Sequence, residues 1–245
     1  MRKTWIIARR ELASFFDGPM AYILLVVLLG SWGFFTWWYG AWYPDVFMRK
    51  QADLSAFFQT AYWTLFLFIP ALTMRTLAEE RRSGTLDLLL TKDVSDGQVV
   101  GGKFLACLLL IVFALAFTLP YYFAIASMGS MDHGAVWCGY FGLLCMSAGY
   151  VAIGIYASSL SRNQIEAFLV GMLVIVVFHV LAMVLSSNFT GPLGVFFQFL
   201  STAEHFDSMS RGVVDSRDLV YFASVIVFAL VLAERNLAKR MFDRS

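Results

Sequence analysis

Residues 97–103 read Gly-Gln-Val-Val-Gly-Gly-Lys and fill the first seven places of the phosphate-loop pattern G-x-x-x-x-G-K-[ST]. In that pattern glycine N–H groups cradle phosphates, the lysine reaches the outer ones, and a final hydroxyl holds magnesium. The eighth residue here is Phe104, which has no hydroxyl. The glycines also lead straight into an apolar run, and too little chain remains for a nucleotide-binding domain. The match is read as coincidence, and no cofactor is expected in this chain. If ATP is used, another chain hydrolyses it.

Other constellations also fall short. Glu79-Glu80 would suit the paired-glutamate pattern E-E-x-x-x-R of an intramembrane protease, but the arginine position is Gly84. No G-x-S or H-E-x-x-H occurs, and His133, His179 and His205 fall in separate segments. No catalytic or metal site is expected. His179 lies in an apolar stretch, where an ionisable group is a functional candidate by default. A neutral imidazole bonded to a neighbouring helix is the alternative.

The elements that would carry these residues follow from composition. The chain has 245 residues, 60% hydrophobic and 14% charged, with mean hydropathy +0.72. Soluble domains carry about 25% charged residues. Asp, Glu, Lys and Arg are absent from 18–44, 54–74, 104–131, 134–161, 167–203 and 219–233. About 20 apolar helical residues cross a bilayer, and lipid leaves backbone groups only helices or closed barrels. Runs of this length without strict alternation imply helices. The expected fold is an all-α polytopic membrane protein, one domain over 1–245 with six spans: 19–43, 54–78, 99–128, 134–160, 165–188 and 217–234.

All 18 lysines and arginines except Arg49, Lys50, Arg211 and Arg217 fall on one side of these spans. That side is cytoplasmic by the positive-inside rule, so both termini are inside. The net charge of +1 gives no reason to expect a nucleic-acid partner. Cys107, Cys138 and Cys145 fall in spans and read as packing residues.

Residues 4–16 place Trp5, Ala8, Leu12 and Phe15 on one face, which suits an interfacial helix on the inner leaflet. Trp37, Trp38, Tyr39, Trp42 and Tyr43 form an aromatic belt at the outer end of the first span. Gly142, Cys145, Gly149 and Ala152 put small residues on one face of the fourth span, allowing close helix packing. Residues 190–215 are too apolar for a free loop and too interrupted for a span, so a re-entrant or interfacial helix pair is expected outside. Residues 235–245 form a cytoplasmic tail.

Residues 75–104 concentrate charge between two apolar runs. The second span, with Pro70 near its end, leaves the membrane through Glu79, Glu80, Arg81 and Arg82. Gly84 suits a helix stop, and Thr85 can cap a short helix that aligns Leu86, Leu89 and Leu90. Ser95 and Gln98 form a capping box for the third span. A cytoplasmic hairpin over 79–98 results. Its leucines either rest in the interface beneath the bundle or dock on a cytoplasmic partner.

Here the sequence resembles a family. Pro-Ala-Leu-Thr-Met-Arg-Thr-Leu-Ala-Glu-Glu-Arg-Arg-Ser-Gly-Thr-Leu-Asp-Leu-Leu-Leu-Thr at 70–91, with Val-Ser-Asp-Gly-Gln-Val-Val-Gly-Gly-Lys-Phe-Leu at 94–105, is similar to the signature of ABC-2 type transporter permeases. Residues 205–222, which include His205, Arg211, Gly212 and Asp215, resemble the GldF-like branch named for gliding motility. The chain departs by carrying Asp93 where the family often has proline. The resemblance implies that 85–91 is a coupling helix seated in a separate ATPase, which binds the ATP and magnesium. It also implies two ATPase copies and a second permease, either this same chain or a GldG-like one with a large extracytoplasmic domain. Glu79–Arg82 would link the second span to the ATPase, with Pro70 a candidate hinge, in the bacterial inner membrane. A non-transporting scaffold is the competing reading.

Overall fold

The computed structural model describes residues 2–38, 46–84 and 94–242, and every regular element among them is helical. Five helical stretches are long and apolar enough to cross a bilayer: Ser55–Arg82, Asp96–Ala126, His133–Leu160, Gln164–Asn188 and Ser216–Lys239. A sixth arises if α1 (Arg2–Phe16) and α2 (Pro19–Trp37) count together. Their axes meet at 79°. Pro19 at the first position of α2 needs no N–H partner, so the chain can turn there. The outer part of the expected first span, 39–43, lies outside the described residues.

After α3 (Val46–Arg49) come α4 (Ser55–Thr73) and α5 (Ala78–Arg82), which share the second span. The third span is α6 (Asp96–Ala116) followed by α7 (Leu119–Ala126). The interruption falls at Phe117 and Thr118, just before Pro120. A proline there cannot donate to the preceding turn. The Thr118 hydroxyl instead lies 2.6 Å from the Leu115 carbonyl and 3.0 Å from the Tyr140 hydroxyl.

The fourth span, α8 (His133–Leu160), is the centre of the bundle. Around it pack α4, α6, the fifth span and the last helix, α13 (Ser216–Phe242). Within its most apolar window 78% is buried, against 22% for the fifth span and 28% for the sixth. Small residues make this possible. A Cβ at Gly154 would overlap the Thr73 side chain of α4, and one at Gly142 would lie 3.0 Å from Met209 Cβ. The core includes Trp32, Phe57, Leu65, Ile69, Leu143 and Met146.

The fifth span comprises α9 (Gln164–Val176), a π-helical turn at Val177–Leu181 and α10 (Ala182–Asn188). Outside it lie two nine-residue helices, α11 (Pro192–Leu200) and α12 (Thr202–Ser210). The first exposes Leu193, Val195, Phe196 and Phe199, an apolar face suited to the headgroup boundary.

α1 lies across the start of α6. A Cβ at Gly102 would come within 2.7 Å of Ile7 Cγ2 and 3.1 Å of the Thr4 carbonyl. The buried stripe of α1 therefore runs through Ile7 and Ala8. Trp5, which the sequence grouped with the apolar face, is 54% exposed. The rest of the expected face packs inward, with Ala8 buried and Leu12 and Phe15 against the core, and Ile7 joins it by filling the groove at Gly102 of α6.

Candidate functional site

The charged row at 79–82 fans out into separate contacts at the root of the hairpin. α4 ends at Thr73, and residues 74–77 are irregular before α5 begins. The freed backbone groups are satisfied across the bundle by Ser158 of α8. Its Oγ accepts from the N–H groups of Leu77 at 3.1 Å and Ala78 at 3.0 Å, and donates to the Met74 carbonyl at 3.2 Å. Pro70 is buried within α4, one turn before this break.

From α5, Glu79 accepts a hydrogen bond from Gln164 Nε2 at the start of α9. Arg81 Nη1 donates to the carbonyls of Leu160 at 3.3 Å and Ser161 at 3.0 Å. This caps the C-terminal end of α8, where a cation complements the helix dipole. Arg82 is exposed. Gly84 closes the segment at φ +72°, a left-handed value that glycine adopts without strain.

Glu80 reaches the centre of the site. Lys103 of α6 is 0% exposed and donates through Nζ to Glu80 Oε1 at 2.8 Å and to Glu11 Oε1 of α1 at 2.9 Å. Arg10 Nη2 stands 4.0 Å from Glu80 Oε1. A fully buried lysine is rare unless paired, because desolvation of an ammonium is costly. Three elements are thereby tied to one cation: the interfacial helix, the end of the second span and the start of the third. The described residues on either side of 85–93 end here, at Gly84 and at Val94, and Ser95 forms a capping box with Gln98.

The phosphate-loop look-alike is explained by the same geometry. Gly97–Lys103 is helical throughout, Gly101 and Gly102 admit α1, Gly97 faces Glu234 of α13, and the lysine is taken by two carboxylates. Thr85, Leu86, Leu89 and Leu90 lie outside the described residues. Glu11, Ser158 and Gln164 are members of the site that sequence reasoning missed. A lone lysine one turn into an apolar run was the available signal, since such a group requires a carboxylate.

A second polar cluster sits at the opposite end of the bundle. His205 of α12 places Nδ1 2.6 Å from Asp218 Oδ1 at the start of α13, and Nε2 3.0 Å from the Phe199 carbonyl. A carbonyl only accepts, so Nε2 carries a proton there. The ring stacks on Tyr221 with centroids 4.1 Å apart, and the Tyr221 hydroxyl donates to the Leu200 carbonyl at 3.0 Å. Arg211 pairs with Asp207 at 2.6 Å on the surface. Gly212 has φ +88°, and a Cβ there would meet Ala135 Cα at 3.0 Å. Asp215 Oδ1 accepts from the Arg217 N–H at 2.9 Å, and this bond, helped by the Arg217 charge, holds its carboxyl below the usual range.

His179 lies apart from both clusters, on the π-helical turn. Its Nδ1 is 2.6 Å from the Tyr150 hydroxyl of α8, and its ring stacks between Tyr62 at 4.0 Å and Phe66 at 4.4 Å. Among the described residues no group of three His, Cys, Asp or Glu side chains could hold a metal.

Fold and site define an integral membrane subunit with a buried lysine that ties three helical segments together at one end of the bundle. The chain matches the profile of the ABC-2 family transporter proteins over residues 49–233 and belongs to that family. It is therefore a membrane component of the ABC transporter class and is not itself catalytic. No curated protein matches the chain significantly.

Proposed function

We propose that this chain is the permease subunit of an ABC-2 transporter, coupling ATP hydrolysis in a separate chain to export or mechanical work. The observation that carries the proposal is the Lys103 node, which binds the root of the 84–94 hairpin to the interfacial helix and to two spans. Force applied to the hairpin tip would not dissipate in a loose loop. It would pass to α1, α4 and α6 together, with Pro70 the yielding point of the second span.

In this reading Leu86, Leu89 and Leu90 dock in a cleft of the ATPase, two copies of which bind ATP and magnesium. A second permease completes the membrane unit, as a further copy of this chain or a GldG-like partner. The motif at 205–222 supports a place in the GldF-like, gliding-motility branch, and the basic residues support a bacterial inner-membrane location with both termini inside.

The test is co-purification from native membranes in mild detergent, wild type beside Leu89→Asp. Wild type should bring down an ATPase, and the folded variant should lose it. An ATPase retained by Leu89→Asp with unchanged turnover would refute docking through this face. If no ATPase accompanies wild type, a scaffold without transport takes its place.

A further inference from the structure

A cavity of about 270 Å³ opens between α1, the start of α2 and the cytoplasmic end of the second span. Its walls include Gly18, where the chain turns into the bilayer, so the cavity mouth lies at headgroup level. Arg10, Arg75 and Glu79 line the cavity together with Leu24 and Leu72, and Leu72 precedes Arg75 in the second span by three residues, so it lies about 4.5 Å deeper. Leu24 lies six residues beyond Gly18, about 9 Å deeper at 1.5 Å per residue. Polar groups above an apolar floor match an amphiphile held upright.

The charges select among amphiphiles. Arg75 is exposed and has no polar partner among the described residues. Arg10 is 55% exposed at its side chain, and its Glu80 contact is long at 4.0 Å. Two guanidiniums thus line the cavity, and arginine is the side chain best suited to hold a phosphate. Glu11 and Glu80 are occupied by Lys103, but Glu79 has only Gln164 on one oxygen. A purely anionic headgroup would set its charge against Glu79. A headgroup with both a phosphate and an ammonium gives each wall a counterpart.

We propose that this cavity binds one aminophospholipid, its phosphate on Arg75 and Arg10 and its primary ammonium on Glu79. The lipid would be a structural ligand of the junction between the interfacial helix and the second span. The site stands on the cavity alone and needs no ATPase.

The full chain is reconstituted in nanodiscs of phosphatidylethanolamine, phosphatidylcholine or phosphatidylglycerol, and retained lipid is read by native mass spectrometry after gentle detergent extraction. Wild type should retain one phosphatidylethanolamine in preference to the other two. Arg75→Gln should lower that retention about tenfold, the worth of one charge-assisted contact. Glu79→Gln should bind phosphatidylethanolamine and phosphatidylcholine alike, because only the primary ammonium can donate hydrogen bonds to a carboxylate. Arg9→Gln, off the cavity, should match wild type. Equal retention of all three lipids by wild type would mean annular lipid only and overturns the proposal without any variant. Preference for phosphatidylglycerol, or unchanged retention in Arg75→Gln, overturns it equally.

Discussion

At the end of the bundle where the basic residues gather, called inner, Lys103 joins Glu80 and a glutamate 92 positions away, whereas at the opposite end, called outer, His205 joins Asp218 only 13 positions on. The outer pair is buried on both sides, while the inner cluster sets one buried lysine between two partly buried carboxylates. They differ in reach. The outer pair fixes the entry of α13 against α12 and the Phe199 carbonyl, all within one local segment. The inner cluster holds three segments that meet only in the folded bundle, so displacement of any one must move the others or break the contact. A device for transmitting motion needs the second arrangement, and an anchor for a loop needs only the first.

Removing the cation is the strongest way to test that distinction. Lys103→Met leaves the partly buried Glu11 and Glu80 facing each other without their cation, and breaking a fully buried pair costs about 3–5 kcal/mol, which is the upper bound here. Chemical denaturation in detergent should show a loss up to that bound. Adding Glu11→Gln and Glu80→Gln to Lys103→Met should restore much of it, because the repelling charges go too. If the triple variant is no more stable than Lys103→Met, the node contributes packing rather than charge balance.

The outer pair should cost less and spread less. His205→Ala strips one oxygen of Asp218 of its partner and frees the Phe199 carbonyl, worth about 2 kcal/mol for a charged hydrogen bond near an interface. Proteolysis should rise selectively at the outer helices while the inner end keeps its protection. Combined with Lys103→Met, the two losses should add within about 0.5 kcal/mol, as distant sites do. Strong coupling between them would show that the ends communicate through α8.

How far these features were legible in the sequence tracks the same difference in reach. The spans could be read because lipid permits only long uncharged helices, and the Ser95–Gln98 capping box and the Gly84 stop because each is decided within four residues. The outer motif was visible as a block at 205–222, although no spacing within it names Asp218 as the partner of His205. The inner node was not visible, since no periodicity in 4–16 names Glu11 as the partner of Lys103. Gly154 shows the same limit. The small-residue face at 142, 145, 149 and 152 was found by spacing, but the closest approach of α4 falls at Gly154, set by where Thr73 lies.

Ser158 refines the inner half of the comparison. Ser158→Ala leaves the buried N–H groups of Leu77 and Ala78 without their acceptor, for a loss of about 1–2 kcal/mol. Hydrogen exchange should quicken at 74–78 while α6 and the Lys103 contacts hold. Exchange that quickens equally along α6 would mean that the break and the node open as one unit.

Asp215 offers the smallest effect and the one with a defined pH signature. Its carboxylate is favoured in the folded chain by the Arg217 N–H and charge, so the folded carboxyl titrates below its unfolded value. Such a group stabilises the fold fully above the ordinary aspartate range, near 3.9, and the contribution disappears as pH falls through the folded value. Asp215→Asn should therefore be slightly less stable than wild type at neutral pH, and the difference should close on acidification. The residue is fully exposed, so salt should shrink the gap as well. A gap that persists in acid would assign the effect to the loop's backbone geometry at Gly212 instead of to charge at the start of α13.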